Sequence, residues 1–352
     1  VSDAPDFDGM SCPAPLSGHD TVQLAHGAGG RLSAELIDAH VLPRFRNELL
    51  AKLEDQAVFE LPPGRVAFST DTFVVTPLEF PGGDIGDLAV NGTVNDVAMS
   101  GARPLYLSVG LVLEEGLPLA VLDRVLDSME RAARAAGVSV VTGDTKVVDR
   151  GGCDGMFVNT SGIGVVPAGV SLSAASLRPG DAVLISGTIA DHGMAVMSVR
   201  EGLSFRSTIK SDTAALGGLV ADLLAAAPGL RALRDPTRGG LATTLNEFAR
   251  ASRVGIRVED GAVPVRTDTA AACEILGLDP LNVANEGKLV AAVPANEAAA
   301  ALAALRAHPL GRDAAVIGEV VAGEPGLVTL RTALGVERIL DLPLGLQLPR
   351  IC

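Results

Sequence analysis

The sequence predicts an α/β fold (α+β, with mixed sheets) built as two units. Three observations carry this. Strand-like and helix-like stretches alternate along most of the chain, without the regular strand-then-helix rhythm of a barrel. The chain has 352 residues, room for about two domains at ~100–200 residues each. A softer stretch rich in Ser, Ala, Gly and Pro, 167–179, separates two such alternating halves. The expected organisation is a flexible N-terminal arm over 1–22, a first domain over 23–168, a second over 169–341, and a flexible tail over 342–352.

Composition narrows the function. Hydrophobic residues make up 48% but aromatic ones only 3%, so the core must be built from Ala, Val and Leu. The formal net charge of −14 leaves no electrostatic footprint for nucleic acid or an anionic membrane. An anionic ligand would need a metal ion or a nest of backbone N–H groups. Cys12, Cys153, Cys273 and Cys352 form no CxxC pair. That argues against a zinc site or a disulfide scaffold, and a reducing cytoplasm is expected. No apolar run reaches the ~18 residues that would span a membrane. Residues 1–20 lack the basic and apolar regions of a signal peptide and read as a loose arm.

In the first half, His26-Gly27-Ala28-Gly29-Gly30-Arg31 runs into a helical pattern from Leu32. Such a loop can aim backbone N–H groups at phosphate, although the GK[ST] ending of a Walker loop is missing. Residues 65–69 and 72–75 are strand-like, with Asp71 between them, closing a turn or holding a carboxylate at a sheet edge. Residues 84–100 form a helix with Asp84 as N-cap. On it Asp87, Asn91 and Asn95 stack at i, i+4 and i+8. A solvated face would use Lys and Glu, which this helix lacks, so the stripe is expected to face a polar ligand or an interface, with Asp96 beside it. Residues 105–113 form a strand. Residues 118–136 form a helix whose Leu119, Leu122, Val125, Leu126 and Met129 are core and whose stop is Gly137. A short strand over 138–141 then ends in Thr142-Gly143-Asp144-Thr145-Lys146, at a strand end where α/β sheets bind ligands. More strand follows over 155–166.

The second half opens with a strand over 182–186 and a helix over 194–200. His192 just before it is either a ligand or a hydrogen-bonded structural histidine. A helix over 211–226 follows, then Asp235-Pro236-Thr237-Arg238-Gly239-Gly240 opens a helix over 241–251. Strands are expected over 254–259, 288–293, 314–321 and 327–330, and an Ala-rich helix over 294–305. Asn285-Glu286-Gly287-Lys288 sits at the entry to the second of those strands. The tail, 343–352, reads PLGLQLPRIC. Its alternating Leu344, Leu346 and Leu348 suit a strand laid against the body, Pro343 and Pro349 restrict it, and ten extended residues reach at most ~33–36 Å. Cys352 is either an inert frayed end or a reactive thiol on an arm.

The ordered set HGAGGR, STDTFVV, GTVNDVAMSGARP, VTGDTKVV, SGTIADHGMAVMSVREGL, DPTRGGLATTLNEFA and VANEGKLV resembles a known ATP-binding superfamily. It includes aminoimidazole ribonucleotide synthetase, selenophosphate synthetase and thiamine-monophosphate kinase. The PRIC ending narrows the resemblance to the HypE carbamoyl dehydratases of NiFe-hydrogenase maturation, over about 26–352. The resemblance implies an N-terminal and a C-terminal α/β domain, with two N-terminal domains pairing their strands into the shared β-barrel of a homodimer. It implies ATP in a cleft lined by both domains or near the dimer interface. It also implies a reaction. A HypF-type carbamoyltransferase loads a carboxamide onto the Cys352 sulfur. ATP drives its dehydration to a thiocyanate, and the cyanide group passes to iron on a HypC–HypD scaffold. Catalysis would then fall to Cys352, Lys146 and Glu286. Mg²⁺ would be held by Asp71, Asp96 and Asp144. The nucleotide would meet Gly29, Gly30, Asp71, Asn91, Thr93, Asn95, Gly143 and Asp144. Two rivals share the motifs: a small-molecule ATP enzyme of the kinase or selenophosphate synthetase type, and a non-catalytic thiol-carrying scaffold.

Overall fold

The computed structural model describes residues 19–28, 30–54, 56–202, 208–342, 348 and 350–352. Residues 1–18 of the N-terminal arm, with Cys12, and Gly29, Pro343, Leu344, Leu346 and Pro349, lie outside the described residues.

The first unit begins with two short helices, α1 (Arg31–Leu36) and α2 (Leu42–Phe45), joined by a wider helical turn. Its sheet contains β1 (Arg65–Phe73), β4 (Arg103–Glu114), β5 (Ser139–Val148) and β6 (Met156–Val166), in the order β1-β6-β4-β5. β1 and β4 each pair antiparallel with β6, and β4 and β5 pair in parallel. A parallel pair needs a crossover, here α4 (Leu119–Ala136). A two-residue hairpin, β2 (Glu79–Phe80) with β3 (Gly83–Asp84), leads into α3 (Ile85–Met99). Strict alternation of buried and half-buried residues along β6 shows which face carries the core. α3 and α4 cover that face. α3 starts on the expected cap. Asp84 accepts from the N–H groups of Gly86 and Asp87, and Asp87 accepts from Asp84 in return. α4 ends as expected on Gly137, at φ 69°.

The second unit is a mixed sheet of seven strands. They are β7 (Asp181–Ile185), β8 (Ala232–Arg234), β9 (Gly255–Glu259), β10 (Val290–Pro294), β11 (Ala315–Val321), β12 (Val328–Arg331) and β13 (Glu337–Ile339). Their order is β13-β12-β9-β11-β7-β10-β8, and β12 pairs with β9 in parallel. The helices are α5 (Asp191–Arg200), α6 (Gly217–Ala226), α7 (Gly240–Ser252), α8 (Thr267–Leu276) and α9 (Ala298–Ala307). The units share a core: Ala98 and Met99 of α3 pack in one cluster with Leu216, Leu219 and Val220.

Three local expectations are corrected. β1 runs unbroken through Asp71, which pairs with Thr160, so no turn interrupts it. β5 extends to Val148, so Gly143 to Lys146 lie within an edge strand and not past its end. A Cβ on Gly143 would stand 2.5 Å from the carbonyl oxygen of Val109, so the glycine serves close strand pairing there. Residues 211–216 are not helical. Their N–H groups are drawn elsewhere, Ser211 to Pro81 O at 2.7 Å and Leu216 to Asn95 Oδ1 at 2.8 Å.

Candidate active site

The site grows from the loop before β10. Asn285 fixes the loop. Its Oδ1 accepts the Ala190 N–H at 2.7 Å, and its Nδ2 donates to Pro236 O at 2.9 Å and Val283 O at 3.1 Å. The Glu286 N–H donates to Asp212 Oδ1 at 3.0 Å. Gly287 admits no side chain, because a Cβ would stand 1.7 Å from the Asp212 carbonyl oxygen. The polar stripe of α3 supports the same loop. Asn95 Nδ2 donates to Glu286 O at 3.2 Å and to Ala214 O at 3.0 Å, and its Oδ1 accepts from Leu216. Asn91 Nδ2 donates to Thr213 Oγ1 at 3.1 Å. Asn91 and Asn95 therefore face the interface between the two units, where Asn95 ties the Glu286 backbone to residues 214–216.

Glu286 is 3% exposed, and its Oε1 has no hydrogen-bond partner. Burial raises its carboxyl well above the usual range, and the charges of Asp235, Asp212, Asp71 and Asp96 raise it further. Partial burial also raises Asp71 and Asp96. Asp96 is tethered by Ser69 Oγ, which donates at 2.7 Å, and Asp71 Oδ1 accepts its neighbour Thr72's N–H at 2.8 Å. Asp235 is pushed up to about 7, first by burial and then by Asp96. Two cations face this group: Arg234 lowers Asp96 and Asp235 and is paired with Glu247, while Arg238 lowers Asp71 and Asp96 and makes no hydrogen bond or ion pair with any described residue. Sequence reasoning missed Asp235 and Arg238 as site residues. The DPTRGG stretch was visible, but it reads equally as a helix opening.

The arm ends in this cluster. The Val74 N–H donates to the Cys352 carbonyl at 3.1 Å, and the Thr76 N–H to the Arg350 carbonyl at 3.4 Å. Arg200 Nη2 also donates to the Arg350 carbonyl, at 2.7 Å. His192 Nε2 lies 2.9 Å from the Ile351 carbonyl oxygen. The Arg350 side chain donates to Val74 O at 3.2 Å, pairs with Asp154 and stacks over Phe157. Ile351 is buried in the first unit's core, at 2% exposure. The arm is thus docked, and both units hold it. Burial and the Glu286 charge push the Cys352 thiol up to about 12, with Arg238 opposing.

The remaining expected residues stand elsewhere. Lys146 Nζ pairs with Asp144 at 2.7 Å on exposed β5, holding the Asp144 carboxyl below its ordinary value. Gly143 aligns with Val109, Val109 with Thr160, and Thr160 with Asp71. Three strand spacings, about 14 Å, therefore separate Gly143 from Asp71. Gly143, Asp144 and Lys146 instead border a 440 Å³ cavity beneath α1 and α2, which His26 and Gly27 also line. Gly30 caps α1 at the surface. Thr93 is fully buried, and its hydroxyl lies 2.6 Å from that of Thr160, tying α3 to the sheet. One protomer thus assembles Cys352, Glu286, Asp71 and Asp96, and holds Asp144 and Lys146 apart. Among the described residues, no three His, Cys, Asp or Glu side chains stand close enough to hold a metal ion by themselves.

Comparison with known proteins places the chain. Residues 53–166 match the N-terminal domain, and 178–330 the C-terminal domain, of AIR synthase related proteins. The carbamoyl dehydratase HypE of Azotobacter vinelandii is 58% identical over 332 residues, 94% of this chain and 97% of that protein. The chain belongs to the HypE family. The crystal structure of a HypE hydrogenase maturation protein in complex with ATP superposes with a TM-score of 0.91 at 51% identity, covering 94% of this chain and 99% of that one. A HypE in a crystallised HypE–HypF complex matches at a TM-score of 0.77 and 48% identity, over 89% of this chain and 100% of that one.

Proposed function

We propose that this chain uses ATP to dehydrate a carboxamide carried on the sulfur of Cys352. One observation carries the reading. The docked arm sets half-buried Cys352 among buried Glu286, half-buried Asp71 and exposed Arg238, which raise or lower the pKa of its thiol. The names of the relatives, carbamoyl dehydratases of hydrogenase maturation, agree with it.

The reaction is R–S–C(=O)–NH₂ + ATP → R–S–C≡N + ADP + phosphate. The carboxamide oxygen attacks the γ-phosphorus of ATP and ADP leaves. The C–O bond then breaks with phosphate departing, and the two N–H protons are removed. Glu286 Oε1, buried and without a partner, is the acceptor for a proton. Arg238 stands where it can balance charge growing on the transferred phosphoryl group.

The all-oxygen donor set suits Mg²⁺. Asp71, Asp96 and Asp235 crowd one another with raised carboxyls, a cost that a divalent cation relieves. One or two of them would hold it, with phosphate oxygens and water completing its shell, since no three described carboxylates stand close enough to do so together. When bound, it supplies the positive charge that neutralises the triphosphate. Asp144 and Lys146 enter from a second copy of the chain in a homodimer. Val66 and Phe68, 50% and 68% exposed on edge strand β1, offer an apolar face for that pairing.

A thiol held near 12 is a poor nucleophile, because the thiolate is the reactive form. Loading therefore belongs to an undocked arm presented to a HypF-type carbamoyltransferase, as the solved HypE–HypF complex supports. Undocking again would hand the cyanide group to an iron-bearing HypC–HypD scaffold. The reducing cytoplasm suits a thiol carrier, and Cys153, Cys273 and Cys352 are free.

Mass spectrometry of the Cys352 peptide tests the reaction. The chain is incubated with the carbamoyltransferase, carbamoyl phosphate and ATP, beside Cys352→Ala. The expected result is a gain of one carboxamide, then loss of one water only when ATP reaches the loaded protein. A loaded peptide that never loses water would leave a thiol-carrying scaffold and sink the reading.

A further inference from the structure

His192 lies in the first turn of α5 and is fully buried. Its ring is fixed on both nitrogens. Nδ1 stands 2.9 Å from Ser211 Oγ, and Nε2 stands 2.9 Å from the Ile351 carbonyl oxygen. A carbonyl only accepts, so Nε2 carries the hydrogen, and Nδ1 accepts from the Ser211 hydroxyl. Ser211 is itself anchored in both units. Its N–H donates to Pro81 O at 2.7 Å, and its Oγ accepts the Thr213 N–H at 3.2 Å. Phe80 packs edge-on against the imidazole at 5.5 Å between ring centres. Ser211 and Phe80 therefore hold the ring's orientation independently of the arm, and the docked carbonyl fixes its tautomer.

We propose that His192 is a positioning residue for the dehydration: its Nε2–H docks the arm by the Ile351 carbonyl and so sets the Cys352 sulfur beside Glu286. Arg200 Nη2 is a second side-chain donor to the arm, but it meets the Arg350 carbonyl, two residues from Cys352. The remaining contacts differ in kind. Val74 and Thr76 donate backbone N–H groups, which persist whatever their side chains. The Arg350–Asp154 pair is more than one-third exposed on both sides, where ion pairs contribute little. Among the described residues, His192 supplies the side-chain hydrogen bond to the residue next to Cys352. Its Nε2–H loses that acceptor when the arm leaves, and a buried donor left unpaired is costly. The docked arm is thereby favoured without any charge on the imidazole.

The catalytic half of this proposal rests on the function proposed above; the docking half does not. The test uses the full chain with His192→Phe, which keeps a ring and removes both nitrogens, and His192→Gln, which restores an N–H donor. The first readout is the rate of Cys352 alkylation by iodoacetamide, followed by peptide mass spectrometry without ATP or partner. The second is single-turnover loss of water from the carbamoylated chain with ATP. His192→Phe is expected to speed alkylation by about tenfold, the worth of one hydrogen bond lost in a buried site, and to slow dehydration because the sulfur of an arm that still docks is no longer held beside Glu286. Carbamoylation by the transferase should be at least as fast as in the wild type, because loading uses the undocked arm, and ATP binding should stay near wild type, which excludes misfolding. His192→Gln should recover most of both rates. Unchanged alkylation in His192→Phe, or a Gln variant as impaired as Phe, overturns the proposal. Faster alkylation of His192→Phe, together with a carbamoylated wild-type chain that never loses water, would leave the docking in place and reject the dehydration.

Discussion

The Val74 N–H donates to the Cys352 carbonyl at 3.1 Å, one residue beyond the strand that carries Asp71. The segment that holds the arm's last residue is thus continuous with a strand of the acidic cluster. Any movement of β1 on nucleotide binding would be felt by the arm directly.

The docked thiol should be nearly unreactive. A free cysteine has a pKa of about 8.5, whereas Cys352 is pushed up to about 12. At pH 8 the docked thiolate is then scarcer by roughly three powers of ten. Iodoacetamide should label Cys352 much more slowly than a peptide of the same last ten residues. Labelling should quicken as pH rises, because the neutral form is the one stabilised by docking. Equal rates for protein and peptide would show the arm to be free in solution.

The carboxyl of Glu286 should cost stability at neutral pH. Its pKa in the folded chain is raised, so the native state holds more protons than the unfolded state once pH exceeds the ordinary carboxyl value. Stability from this group is present below that value and is lost as pH rises toward the native pKa. Glu286→Gln should therefore raise the thermal midpoint more at pH 8 than at pH 5. The same change should lower single-turnover dehydration by about 10²–10⁴-fold, the usual worth of a general base. A variant that melts alike at both pH values, or keeps its rate, contradicts the buried carboxylate as described.

Much of the frame was legible in the sequence, and the reasons are local. Asp84 and Gly137 stand at helix ends where their chemistry belongs, and both act there. The Asn91–Asn95 stripe was legible as facing something polar, but not that the partners are Thr213, Ala214 and the Glu286 backbone. That pairing spans more than 100 residues of chain, and no period encodes it. Gly143-Asp144-Thr145 looks like a turn, yet pairing with β4 keeps it extended, because tertiary context outweighs weak strand propensity. Asp235 and Arg238 were hidden inside a motif that also starts a helix. That the arm could lie against the body was legible in its alternating leucines, but where it docks was not, because it is held mostly through backbone carbonyls, which every sequence has.

Arg238 should matter for ATP more than for folding. It is exposed, faces Asp71, Asp96 and Cys352, and pairs with no described residue. Arg238→Ala should leave the thermal midpoint within the small range of surface substitutions. Loss of a cation at the transferred phosphoryl group should cut the dehydration rate by about 10²-fold or more. Arg238→Lys should recover only part, since an ammonium cannot supply the guanidinium's paired donors. An Ala variant with wild-type single-turnover kinetics would remove Arg238 from the site.

Lys146 separates a site within one chain from a site shared by two. It sits on β5, the opposite edge of the sheet from β1, paired with Asp144. If it acts on the Cys352 of a partner copy, two dead variants should complement each other. In a mixed dimer of Lys146→Ala and Glu286→Ala, one site takes its lysine and its glutamate from the intact positions of different chains, and the other site loses both. Random pairing then restores roughly a quarter of the sites. If each chain uses its own Lys146 and Glu286, a mixed dimer has no complete site. Co-expressing the two variants with different tags, isolating the doubly tagged dimer and measuring ATP-dependent loss of water decides between them. Activity in that dimer, with neither homodimer active, is the expected outcome. A silent mixed dimer would return Lys146 to its own chain and require β5 to move toward Glu286 when ATP binds.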